Sequence, residues 1–120
     1  DFTYIDDIVD GIIQVIDKIP RKNIKWDPKK PSSRASSSPY RIFNIGNNKS
    51  VELLDYIHEI EKNLGLKADK NLLPLQAGDV EDTYADITDL SDTYSFIPKT
   101  SIKEGVKKFI KWYKTYHNIK

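Results

Sequence analysis

Apolar residues recur at intervals of three and four through the first twenty positions, with Ile5, Ile8, Val9, Ile12, Ile16 and Ile19 on one stripe. That period predicts a helix reaching about Ile19 and stopped by Pro20. Asp6 or Asp7 is placed to cap it, and with Asp10 these carboxylates fit a cap and a solvated face. Ile13 and Val15 widen the apolar face, so the helix is expected to be covered on more than one side. Ahead of it, Phe2 and Tyr4 alternate as in a strand. A second unit spans residues 40–64. Ile42, Phe43 and Ile45 favour a short strand ending at Gly46. The Gly46-Asn47-Asn48 cluster then turns the chain, because Gly and Asn tolerate positive φ. Ser50 is placed to cap the next helix, with Glu52 in its first turn. Val51, Leu54, Ile57 and Leu64, with Leu53 and Ile60 slightly off the stripe, supply its buried face, and Gly65 favours a left-handed end.

Residues 68–75 form a third extended candidate, ending at Pro74. Asp86 can cap a short helix through about Leu90, and Phe96-Ile97 returns the chain to the core. Ser101 and Glu104 have capping-box spacing at the head of a last helix. Its inward face is read as Ile102, Val106, Phe109, Ile110, Tyr113 and Tyr116. The predicted order is strand, helix, loop, strand, helix, strand, helix, helix, a mixed α/β chain of several helices and a few short strands. Between residues 20 and 39 the pattern vanishes into a Ser-, Pro- and Lys-rich stretch, expected to be a flexible internal loop.

The 120 residues suffice for one small domain. A net charge of +1 gives no electrostatic reason to expect nucleic acid or an acidic membrane. The absence of cysteine excludes disulfides and thiol chemistry and suits a cytoplasmic protein. No apolar run approaches the ~20 residues of a membrane helix. There is also no methionine, and the chain begins inside a strand-like pattern. These features favour an internal or C-terminal segment of a longer protein.

Chemistry is sparse. There is no Gly-x-Gly-x-x-Gly, no Walker-type loop and no paired metal-ligand spacing. His58 beside a helical apolar face and His117 near a chain end fit structural or solvated roles. The acidic run from Asp79 to Asp92 has no linear spacing that defines a catalytic pair. One turn stands apart, Gln76-Ala77-Gly78-Asp79. The glycine lets backbone approach a ligand, and the amide and carboxylate beside it suit hydroxyl recognition, as on a ribose. An ordinary turn with Asp79 accepting local backbone hydrogen bonds is the competing reading.

Five segments together carry a resemblance. They are Asp1-Phe2-Thr3-Tyr4-Ile5-Asp6-Asp7-Ile8, Pro39-Tyr40-Arg41-Ile42-Phe43-Asn44-Ile45-Gly46-Asn47, Leu73-Pro74-Leu75-Gln76-Ala77-Gly78-Asp79-Val80, Thr83-Tyr84-Ala85-Asp86, and Pro98-Lys99-Thr100-Ser101-Ile102-Lys103-Glu104-Gly105. In this order and spacing the chain resembles the C-terminal part of NAD-dependent nucleotide-sugar epimerases of the extended short-chain dehydrogenase/reductase class, most of all the UDP-glucuronate 4-epimerase branch. The resemblance covers nearly all of the chain. It implies a nucleotide-sugar-binding lobe over residues 1–120, with the Rossmann domain and its NAD lying elsewhere in the complete enzyme. The family's Tyr-x-x-x-Lys pair does not occur in a plausible setting, and His117 stands where the lysine after Tyr113 would be. The resemblance therefore implies no catalytic residue, no metal and no cofactor contact in this chain, and inactivity in isolation. It carries over Asp79 facing the ribose, Gln76 near the diphosphate (often an arginine in the galactose branch), and Thr83 near the nucleotide. A UDP-sugar is the implied partner, and a homodimer of the complete enzyme is allowed. A nucleotide-sugar dehydratase or decarboxylase on the same scaffold, or a non-catalytic binding module, are the alternatives.

Overall fold

A computed structural model describes residues 1–119. Its regular elements are four helices, α1 (Ile5–Ile16), α2 (Leu53–Leu64), α3 (Thr88–Tyr94) and α4 (Ile102–Tyr116). The expected strands are not found among the described residues. Residues 1–4, 42–45 and 68–75 carry no regular secondary structure, and one isolated antiparallel bridge joins Ala35 to Arg41. Pattern and propensity describe a pleated, half-buried surface, but a strand also needs a partner for its backbone groups. In this chain the Ile42 N–H donates to the Arg34 carbonyl and the Ala68 N–H to the Glu61 carboxylate. Asp1 accepts the N–H groups of Asn47 and Asn48, and the Asn44 amide donates to the carbonyl of Asp86.

Two apolar clusters hold the molecule. Ile87, Leu90 and Phe96 form the first, packed against Val15, Phe43, Ile45, Ala85 and Tyr94. Gly11 on α1 lies so close to this cluster that an added Cβ would meet Ile45, with Phe96 Cε2 at 3.1 Å. The second lies where α2 packs on α4, through buried Val106 and Ile110 and half-buried Ile57, Ile60 and Leu64. Phe2 links the chain's start to α2 by stacking on Tyr56 at 4.2 Å. The radius of gyration is 18.9 Å, against about 14 Å for a compact domain of this length.

Burial departs from the sequence expectation most strongly on α1. Asp7, Ile8, Gly11 and Val15 turn inward, while the rest of the predicted stripe lies outward, with Ile5 61%, Ile12 49% and Ile16 70% exposed. Helical period fixes which residues share a face, but which face meets the core is set by partners. Here the small Gly11 permits the closest approach, so its side wins. The helix ends at Ile16, earlier than expected, and its N-cap is Tyr4 with no side-chain cap from Asp6 or Asp7. On α2 the cap position is Glu52, not Ser50, and no side chain closes it; Leu53 and Leu54 are exposed. Gly65 ends α2 at φ 72°, as expected. Asp86 Oδ1 accepts the N–H and hydroxyl of Thr88, and α3 runs on to Tyr94. Those two bonds, ahead of the nearby Arg34, hold the Asp86 carboxyl below its ordinary range. At α4 the expected cap forms: Ser101 Oγ accepts the N–H of Glu104 at 3.3 Å. Phe109, Tyr113 and Tyr116, expected inside, are exposed.

The 20–39 segment is an excursion between α1 and the extended 42–45 run. Ala35 is buried within it, Asn23 N–H donates to Ser36, and Arg34 reaches Asp89 at 2.9 Å and Asp86 at 3.7 Å.

Gly46 is needed for space, since a Cβ there would collide with the Cβ of Ala85. The positive φ in this turn belongs to Asn48, at 53°. Gly46→Ala should therefore destabilise the chain by about 1–3 kcal/mol, read as a lower midpoint in urea denaturation. An unchanged midpoint would show that the turn and Ala85 separate freely.

Candidate functional site

Gln76 and Asp79 lie on a single turn, closed by Asp79 N–H donating to the Gln76 carbonyl at 3.1 Å. Gly78 sits in it at φ 95°, a conformation that a side chain would strain. Both side chains are exposed, and among the described residues the Asp79 carboxylate makes no hydrogen bond or ion pair. The turn is thus closed by its backbone, without help from that carboxylate. Thr83 lies further along and is engaged differently. Its carbonyl and hydroxyl oxygens accept from the Asp1 amino group at 2.9 and 3.0 Å. No described contact joins the Thr83 side chain to Gln76 or Asp79, and none of the three lines the cavities of about 190 to 450 Å³ elsewhere on the chain.

The turn is carried on a strap, residues 66–85, fixed at both ends by carboxylates. At the near end Glu61, 5% exposed, accepts from the Ala68 N–H at 3.0 Å, from Lys67 Nζ at 3.0 Å, and from Lys70 Nζ. His58 Nδ1 also faces it at 4.0 Å. At the far end Asp1 Oδ2 accepts the Ala85 N–H at 3.1 Å while its carboxylate also holds Asn47 and Asn48. The two N–H groups that follow Gly46, those of Asn47 and Asn48, are thus taken by the chain's own carboxylate.

Sequence reasoning missed Asp1 and Glu61 as anchors, and Asp7, whose buried carboxylate accepts the N–H groups of Lys99 and Thr100. Its place at the head of α1 predicts a cap or a solvated residue, and the structure buries it instead. Glu61 had a visible signal: it falls beside Ile57, Ile60 and Leu64 on the inward face of α2, and Lys67 and Lys70 follow. A lone acid within an apolar stripe needs partners, and cations nearby in sequence can supply them.

Against known proteins, no family model matches the chain. It is 44% identical to Protein CapI of Staphylococcus aureus over 117 residues, covering 98% of this chain and 35% of that protein. It is 38% identical over 114 residues to the probable UDP-glucuronate 4-epimerase of Rhizobium meliloti, covering 94% and 33%. With UDP-glucuronate 4-epimerase 1 of Arabidopsis thaliana it shares 36% over 118 residues, covering 98% and 26%. The chain is homologous to the C-terminal part of nucleotide-sugar epimerases. It spans between a quarter and about a third of the length of the curated relatives it matches, at 26% to 36%.

The N–H groups beside Gly46 are taken by Asp1, and the first turn of α1 carries Asp6 and Asp7, which repel a phosphate. Among the described residues no helix is long and apolar enough to cross a membrane, and no group of His, Asp and Glu could hold a metal ion.

The hydrogen bond from Lys70, then those from the Ala68 N–H and Lys67, lower the Glu61 pKa from its ordinary 4.5 to about 2. A depressed folded-state pKa means that this stabilisation is complete above about 4.5 and is lost as pH falls toward 2. Glu61→Gln should therefore be less stable at neutral pH and should lose part of the acid limb in that window. Chemical denaturation at stepped pH measures it, and an acid limb identical to that of the parent chain would contradict the anchor.

Proposed function

We propose that this chain is the substrate-gripping part of a UDP-glucuronate 4-epimerase, in which NAD and the proton-transfer groups are held by other parts of the complete protein. The observation that carries the reading is the Asp79 carboxylate, presented without a partner on a glycine turn whose strap is fixed at both ends. A carboxylate so placed accepts hydrogen bonds from vicinal hydroxyls, as on a ribose, and charge strengthens them. Gly78 keeps that approach free of side chains. Gln76 offers a neutral amide to the neighbouring diphosphate, and Thr83 a hydroxyl close to the Asp1 anchor. The homology to proteins named for UDP-glucuronate supplies the substrate class.

The outward stripe of α1, from Ile5 to Ile16, supports the same reading. We assign it as a seat for the Rossmann part of the complete enzyme, in a cytoplasmic protein that needs no disulfides. The chain alone is then a binding element without turnover. Purified by itself and supplied with NAD and UDP-glucuronate, it should form no UDP-galacturonate; measurable epimerisation would overturn the division of labour.

Asp79→Ala in the active enzyme should weaken UDP binding roughly ten- to a hundredfold, the equivalent of one or two charge-assisted hydrogen bonds. Since the ribose lies away from the reacting sugar carbon, KM should rise more than kcat falls. Unchanged UDP affinity with a lowered melting temperature would make Asp79 a turn-stabilising residue instead.

A further inference from the structure

The charge of this chain is distributed unevenly. Residues 18–41 contain eight Lys and Arg and one acid, Asp27, a net +7; subtracting this from the whole chain's +1 leaves −6 for the rest. Such segregation favours an anionic partner for the basic part. Part of it folds into a concavity of about 450 Å³ at the far end of α1, where Lys18, Arg21, Lys22 and Arg41 meet Phe43 and Tyr94. No acidic residue lines it. Among the described residues none of these four cations has a carboxylate within 4.0 Å, whereas nearby Arg34 pairs with both Asp86 and Asp89.

Two of the cations are held in place. Lys18 Nζ lies 5.1 Å from the centre of the Tyr94 ring, and the Arg41 guanidinium lies 4.9 Å from that of Phe43. The two rings meet edge-on at 5.3 Å, making one aromatic wall. Cation–π contact fixes the charges without neutralising them, so they remain available to an anion. Guanidinium groups bind phosphate oxygens in pairs, and ammonium groups add mobile point charges.

We propose that this groove is a binding site for a polyphosphate-bearing small molecule. The cation-covered rings leave recognition to the charge array, so the phosphate chain is read and no stacked base is required. Its concave walls and nucleotide-scale volume favour a small anion over an extended strand or a lipid surface. The groove shares no residue with Gln76, Asp79 and Thr83, so it is separate from the proposed UDP-sugar grip.

Calorimetric titration of inorganic tripolyphosphate into the chain at moderate salt tests it. One-to-one binding is expected, with ATP and tripolyphosphate of similar affinity. The double reversal R21E/K22E should weaken binding at least ~10-fold, because it removes two of four contacts and adds repulsion. K107E/K111E on α4 makes the same change in net charge and should leave affinity within ~2-fold, as the groove is not altered. Asp79→Ala should not alter it, which keeps this test distinct from that of the UDP-sugar reading. Far-UV circular dichroism confirms that each variant stays folded. Absence of saturable binding, equal losses in the two charge reversals, or tighter binding of single-stranded DNA than of tripolyphosphate would each overturn the proposal.

Discussion

A carboxylate accepting backbone N–H groups from distant parts of the chain is the interaction on which this structure depends. Among the described residues four helices form without a sheet, and the donors of the runs between them must be satisfied by something other than a ladder. Asp1 joins residues 47 and 48 to residue 85, and Asp7 joins the first turn of α1 to the approach of α4. Glu61 joins α2 to the start of the strap. Each bond is charge-assisted, and such bonds are stronger and more directional than their neutral equivalents. The small apolar clusters then pack what the acids have aligned.

That arrangement also explains where ligand chemistry can lie. A junction such as Gly46-Asn47-Asn48 would ordinarily offer its N–H groups to an anion, but here Asp1 uses them. The next candidate, the 76–79 turn, is closed by its own backbone, and this leaves Asp79 uncommitted. Anchoring the strap at Glu61 and Asp1 limits where the turn can go without filling it. Asp69, Glu81 and Asp82 on the strap are exposed too, but Asp79 alone sits beside Gly78 on the closed turn, and the proposed function is built on it.

The helices were legible because their signals are local. Period, the Gly65 terminus and the Ser101 cap all act within a few residues. Strand pairing and burial were not legible, because both depend on what lies opposite. The Ile42–Ile45 run has strand-forming residues but no ladder in this chain. The apolar stripe of α1 is real in sequence, yet Gly11 turns a neighbouring side of the helix to Phe96. The candidate turn was visible through Gly78 and its polar neighbours, and Asp79's freedom from local bonds emerged only from the geometry. Asp1 sat at the head of a strand-like run and Asp7 looked like an ordinary helix-end acid, since the sequence places their N–H partners more than forty residues away.

The central claim is that the 76–79 turn grips the nucleotide through Asp79. A crystal structure of the complete enzyme with UDP-glucuronate tests it most directly. The account predicts an Asp79 carboxylate oxygen at about 2.6–3.0 Å from a ribose hydroxyl, with Gly78 beside the sugar and Gln76 toward the diphosphate. A ribose held by other residues, with Asp79 still facing solvent, would contradict it.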